Sequence, residues 1–91
     1  MYSDHLMSQE ELANYATLPL EQRCKVVRAS RWSPDSNKSY RLFNVGEELT
    51  IKKYEAICSS NGVLDSVAYL AEADDGKLYF VWDDFGDLEA I

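Results

Sequence analysis

The stretch Lys77–Asp87, KLYFVWDDFGD, decides the fold, because an apolar strand pattern in it runs directly into a group of acids. Side chains alternate between the two faces of a strand, so Leu78, Phe80 and Trp82 would share one face and the two apolar residues between them the other. Apolar side chains on both faces are typical of a strand that is covered on both sides. We therefore expect a central, buried strand that ends in an acidic turn.

The residues before this strand predict a β-hairpin. Asp75-Gly76 stands between two apolar runs, which is the strongest short-range signal for such a turn. The first run, Val67–Ala73, would then pair with Lys77–Trp82, and Leu88–Ile91 would add a short last strand. Asp74 and Asp75 would lie near the acids that follow Trp82.

The N-terminal part predicts a short helix. Ser8 and Glu11 have the spacing of a capping box, and Met7 and Leu12 have that of a hydrophobic staple. Pro19 ends the helical pattern, because the residue before a proline is pushed out of the helical region.

Strands are predicted downstream of this helix, with a polar loop between the first two. The predicted strands are 23–29, 40–45 and 49–57, and the loop spans 30–39. In the third strand, period-2 alternation would place Leu49, Ile51 and Lys53 on one face and Thr50, Lys52 and Tyr54 on the other.

The chain has 91 residues and a net charge of −7, which favours one acidic domain over residues 1–91. We expect a helical segment over 1–19 and a barrel-like core over 23–91. Six basic residues stand against one acid between Arg23 and Arg41, whereas seven acids stand against one lysine between Glu72 and Ile91. The two segments either face each other across the fold or mark two contact surfaces.

Compartment and chemistry are constrained mainly by what the sequence lacks. Cys24 and Cys58 have no motif spacing and are expected to be reduced core thiols, and no apolar run is long enough for a membrane span. The cytoplasm is therefore the expected location. His5 is the only histidine, so a Ser-His or Cys-His catalytic pair is not expected, and neither a metal nor a cofactor is predicted.

The run Phe43–Ile51, FNVGEELTI, resembles the diverging-turn segment of Src-homology-3-like small barrels, in which an apolar residue precedes Gly-acid and an x-Leu-x-Ile strand follows. The order of strands and turns from Arg23 onward is similar as well. The resemblance implies a mainly β (α+β) fold: a small five-stranded barrel or a strongly bent antiparallel sheet, with one short N-terminal helix. The motifs with which such barrels bind proline-rich peptides are missing, so that activity is not expected.

Two binding functions follow. The first is a non-enzymatic acidic protein–protein interaction module, an inhibitor or adaptor that binds a basic surface; a special case is a phage-type DNA mimic that inhibits restriction or CRISPR enzymes. Its partner-binding residues would be Asp74, Asp75, Asp83, Asp84, Phe85, Asp87 and Trp32. Trp32 has a structural alternative, which is to fold back over the core.

The second function is a small barrel that binds nucleic acid, although the negative net charge opposes it. Its binding residues would be Arg28, Arg31, Lys38, Arg41 and Tyr40. In either case we expect a monomer or a small homo-oligomer.

Overall fold

The computed structural model describes residues 7–34, 40–82 and 86–91. These residues form one short helix and seven strands in two antiparallel sheets. The elements are α1 (Gln9–Ala13), β1 (Arg23–Val26), β2 (Ser30–Trp32), β3 (Arg41–Phe43), β4 (Glu48–Cys58), β5 (Leu64–Glu72), β6 (Leu78–Val81) and β7 (Leu88–Ala90). The large sheet has the order β6-β5-β4-β1-β7, and β2 pairs with β3 in the small one. The predicted mainly β class is confirmed, with a five-stranded sheet that is not closed into a barrel.

The long strand β4 joins the two halves of the large sheet. Its first residues, Glu48–Thr50, pair with β1, and Thr50–Cys58 pair with β5. A register shift at Lys52 reverses the alternation, so Leu49, Ile51 and Tyr54 are all buried. The predicted grouping of Tyr54 with Thr50 and Lys52 is therefore wrong, because a β-bulge inserts one residue into the strand.

The strand β6 lies at an edge of the sheet, not at its centre as we predicted. Tyr79 and Val81 are buried, whereas Leu78 and Trp82 are each 38% exposed. One face of this strand therefore belongs to the core and the other faces outward. The preceding hairpin is confirmed: Ala73 N–H donates to the Lys77 carbonyl over 3.0 Å, and Gly76 has the positive φ of 80° that this turn requires.

Part of the predicted loop 30–39 is a strand. β2 pairs with β3 in the register Ser30↔Phe43 to Trp32↔Arg41, and Phe80 N–H donates to the Ser33 carbonyl over 2.9 Å. That last bond ties the small sheet to the outer edge of β6.

The side chain of Trp32 is buried, with 5% of its surface exposed. Its ring lies 5.2 Å from that of Phe43, and Phe43 meets Tyr79 edge-to-face at 4.9 Å. Trp32 therefore covers the core, which is the structural alternative given above, and is not an exposed anchor for a partner.

The helix α1 begins with the predicted capping box. The Ser8 hydroxyl accepts from Glu11 N–H, and the Glu11 carboxylate accepts from Ser8 N–H. Leu12 is buried in the core, and Met7 packs against the same cluster. Helix and sheet therefore share one hydrophobic core.

The two cysteines differ in their surroundings. Cys24 on β1 is fully buried, as expected, but Cys58 at the end of β4 is exposed, so the prediction of a core position for it is wrong. In the described part of the chain, no helix is long and apolar enough to cross a membrane.

Candidate interaction surface

The large sheet has an inner face, which covers the core, and an outer face, which carries polar and aromatic side chains. The burial alternates along β1 and β4, so Cys24 and Leu49 point inward while Arg23, Glu48 and Thr50 point outward. Cross-strand neighbours share a face, so the register continues the outer row from Thr50 to Glu72 and Leu78. Sequence segments that lie far apart therefore meet on this outer face.

One end of the outer face forms an acidic cleft with a volume of about 480 Å³. Four carboxylates line it, and they come from the turn before β4, from β4 itself, from β5 and from the β5–β6 hairpin. They belong to Glu47, Glu48, Glu72 and Asp74. In the described part of the chain, Arg23 is the one cation that lines this cleft, and it forms an ion pair with Glu48.

The hairpin acids are held by Arg41 on β3. Its guanidinium donates to Glu47 over 2.7 Å and to Asp74 and Asp75 over 3.1 Å each, and its Cζ lies 4.4 Å above the ring of Phe43. This Arg41 cluster fixes the hairpin against the small sheet. The Asp74 side chain nevertheless remains 77% exposed, so it still faces solvent at the rim of the cleft.

Asp75 is bound more completely than Asp74. Its carboxylate accepts from Tyr79 Oη over 2.6 Å and from Lys77 N–H over 2.9 Å. The hydrogen bond from Tyr79, followed by that from the Lys77 backbone, lowers the pKa of Asp75. The same bond to Asp75 raises the pKa of Tyr79. Asp75 is thus a structural anion of the hairpin.

Asp87 also has a structural partner. It is 7% exposed, and its carboxylate accepts from Arg28 Nε over 2.8 Å. The backbone of the same residue accepts from Val27 N–H over 2.9 Å. Through Arg28–Asp87 and the Arg41 cluster, the basic and acidic segments of the chain neutralise each other in part, which is the first of the two readings of their charge.

A second cleft, the aromatic cleft, lies where the outer edge of β6 meets the small sheet. It has a volume of about 400 Å³ and is lined by Arg31, Trp32, Ser33, Tyr40, Ile57, Phe80 and Trp82. Tyr40 and Trp82 are 66% and 38% exposed, and Phe80 is half-buried beside its cross-strand neighbour Leu70. Arg31 is exposed and is the one charged residue among the described residues that line this cleft.

The predicted partner-binding residues are separated by the fold. Asp74 and Asp75 lie at one end of β6, in the hairpin that precedes it, and Trp82 lies at the other end. Asp74 faces solvent, Asp75 and Asp87 are bound by hydrogen bonds, and Trp32 is buried. Asp83, Asp84 and Phe85 lie outside the described residues.

The predicted nucleic-acid-binding residues are divided as well. Arg28 and Arg41 form ion pairs with acids of this chain, whereas Arg31 and Tyr40 meet in the aromatic cleft. Lys38 lies outside the described residues.

Several residues that line the two clefts are not among the predicted site residues: Glu47, Glu48, Glu72, Ile57, Phe80 and Trp82. Alternation along the strand predicts the last two in the core. Alternation along β4 and β5 places Glu72 beside Thr50 on the outer face. It does so only when the register between these two strands is known.

Comparison of the chain with protein-family models, curated proteins and solved structures found no match.

Proposed function

We propose that this chain is a non-catalytic protein-interaction domain whose acidic cleft binds a positively charged surface of a partner protein. The observation that carries the proposal is the meeting of four carboxylates from separate segments around one open cleft. Carboxylates grouped in this way attract a basic surface and accelerate its association at low salt.

The geometry favours lysine or arginine side chains as the groups that enter this cleft. Asp74 is largely exposed, and Glu72 is half-buried on the adjoining strand, so both can accept from an incoming cation. Arg23 holds Glu48, and Arg41 holds Glu47 and Asp74, so two guanidinium groups stand against the four carboxylates and the cleft keeps a net negative charge.

The fold is proposed to be an open variant of the Src-homology-3-like small barrels. In support, β1 pairs with both β4 and β7, the strands β4, β5 and β6 follow one another as a meander, and the small sheet lies in the long connection between β1 and β4. Such a scaffold offers loops and an outer sheet face for binding a partner.

A DNA-processing enzyme is the partner class to be tested first. Spaced carboxylates on a rigid sheet present negative charge as a DNA backbone does, so they can occupy a basic nucleic-acid channel. An inhibitor of a restriction or CRISPR enzyme would work in this way.

The experiment is an affinity capture from host lysate with three forms of the protein. The cleft variant carries Glu48→Gln, Glu72→Gln and Asp74→Asn. A matched variant carries Glu10→Gln, Asp65→Asn and Glu89→Gln, which removes the same charge from exposed positions outside the cleft. Circular dichroism verifies that all three forms are folded.

We expect the wild type and the matched variant to capture the same protein at low salt and to lose it at high salt, while the cleft variant fails at both. Equal capture by the two variants would contradict the proposal, because net charge alone would then explain the binding. Capture that does not weaken as salt rises would contradict it too.

A further inference from the structure

We infer that the aromatic cleft is a second recognition site, which receives one aromatic or large aliphatic side chain of a partner protein together with a carboxylate beside it. This inference goes beyond the acidic cleft and does not depend on it, because the two surfaces lie at opposite ends of β6 and differ in chemistry.

The shape and lining of the cleft fit one bulky apolar group. A volume of about 400 Å³ lies at the small end of the ~300–1,000 Å³ range of ligand clefts. Trp32 and Phe80 are held by the core and by β5, so they form a fixed wall. Tyr40 and Trp82 expose large amphipathic rings that an incoming side chain would cover.

The positive charge of Arg31 determines which group of the partner would lie beside the bound side chain. Arg23, Arg28 and Arg41 are each paired with a carboxylate of this chain. Arg31 forms no ion pair with any of the described residues, and it lines the cleft. An exposed guanidinium beside a Trp and a Tyr favours a carboxylate next to the bound ring, and these three residue types are the ones most enriched at interface hot spots.

A protein segment fits this arrangement better than a nucleic-acid strand. One carboxylate satisfies Arg31, whereas a strand would bring a phosphate at every nucleotide past the outer face, where Glu55 and Glu72 stand, on a chain of net charge −7. The competing hypothesis is that a nucleic-acid base stacks on Tyr40 or Trp82, and the test distinguishes the two.

The test uses three small probes with the same indole ring and different charge: N-acetyltryptophan carries a carboxylate, N-acetyltryptophanamide is neutral, and tryptamine carries an ammonium. Each is titrated into ¹⁵N-labelled full-length protein, and amide chemical shifts are followed by NMR. We expect saturable shifts at Arg31, Tyr40, Phe80 and Trp82, with affinity falling from the carboxylate to the amide to the amine.

Substitutions at two exposed residues, Arg31 and Tyr40, test whether the probes bind in the aromatic cleft. Arg31→Gln is expected to weaken N-acetyltryptophan by about two- to fivefold, to the level of the amide, without changing the amide itself. Tyr40→Ala is expected to weaken all three probes. Tyr15→Ala is the matched control, since Tyr15 is 63% exposed and lies outside the cleft, and it should change none of them.

Three results would overturn the inference. They are the absence of saturable shifts at the cleft, tighter binding of tryptamine than of N-acetyltryptophan, and tighter binding of an octathymidylate than of N-acetyltryptophan at the same amides. The last of these would identify a base-stacking surface. None of the three bears on the acidic cleft, whose own test uses different residues.

Discussion

Arg41 joins the two oppositely charged segments of the chain, as Arg28 does through Asp87. It is 29% exposed, it donates to Glu47, Asp74 and Asp75, and it lies over the ring of Phe43. Arg41→Met is expected to lower the free energy of unfolding by about 1–3 kcal/mol, because half-buried carboxylates lose charged donors. Urea unfolding followed by circular dichroism measures this change.

The matched control for that substitution is Arg31→Met, on the strand that pairs with β3. Arg31 is exposed, so this change is expected to stay within about 0.5 kcal/mol of the wild type. Equal stability of the two variants would show that the Arg41 cluster does not hold the hairpin.

Asp75 makes the stability of the protein depend on pH in the acid range. The hydrogen bond from Tyr79 lowers the pKa of Asp75 in the folded state, so its contribution to stability is complete above the ordinary aspartate pKa of about 4. That contribution is lost as the pH falls through the lowered folded pKa. We expect Asp75→Asn to reduce the loss of stability below about pH 4, as measured by urea unfolding at several pH values.

A direct titration tests the cause of that shift. The Asp75 carboxyl ¹³C signal is expected to titrate below the ordinary aspartate range in the wild type and closer to it in Tyr79→Phe, which removes the 2.6 Å hydrogen bond. An unchanged pKa in Tyr79→Phe would assign the shift to another group.

At the scale of elements, the side chain of Gln9 connects α1 to β4 by hydrogen bonds, in addition to the packing of Leu12 in the core. β1 pairs with β4 only over Glu48–Thr50, and beyond the bulge the backbone of Tyr54 lacks that neighbour. Gln9 replaces it: the side-chain oxygen accepts from Tyr54 N–H over 2.7 Å, and the side-chain nitrogen donates to the Tyr54 carbonyl over 2.9 Å. Gln9 thus takes the place of a neighbouring strand at Tyr54.

The substitution Gln9→Ala is expected to lower the free energy of unfolding by about 1–3 kcal/mol, because two half-buried backbone groups lose their partners. Thermal and urea unfolding measure the effect. Glu10→Ala on the same helix is the control, and it should cost less than about 0.5 kcal/mol, since Glu10 is exposed. A loss of equal size in both variants would show that helix propensity, not the bonds to Tyr54, is responsible.

Local signals predicted the elements that depend on local chemistry. The Ser8–Glu11 capping box and the Asp75-Gly76 hairpin follow from neighbouring residues alone, and both are present. The bulge at Lys52 and the edge position of β6 depend on which strands pair, so alternation along one strand could not reveal them. For the same reason, alternation predicts the apolar outer face of β6 as core, whereas its residues Phe80 and Trp82 line the aromatic cleft.

At the scale of the whole molecule, the sequence showed the sign of the charge but not its arrangement. The predicted partner-binding residues include Asp75 and Asp87, whose carboxylates are bound by other residues of the chain, and omit Glu48 and Glu72. Those two residues are 24 positions apart and meet only because β4 pairs with β5. The acidic cleft is thus a product of strand register, and its location is the central claim of the proposed function.

A chemical-shift map of ¹⁵N-labelled protein titrated with a tetra-arginine peptide at low salt tests that location most directly. We expect the largest saturable shifts at Glu47, Glu48, Glu72 and Asp74, and we expect added salt to remove them. Shifts spread evenly over other exposed acids, such as Glu10, Asp65 and Glu89, or absent from the cleft, would contradict the claim that the acidic cleft is where this protein recognises a basic partner.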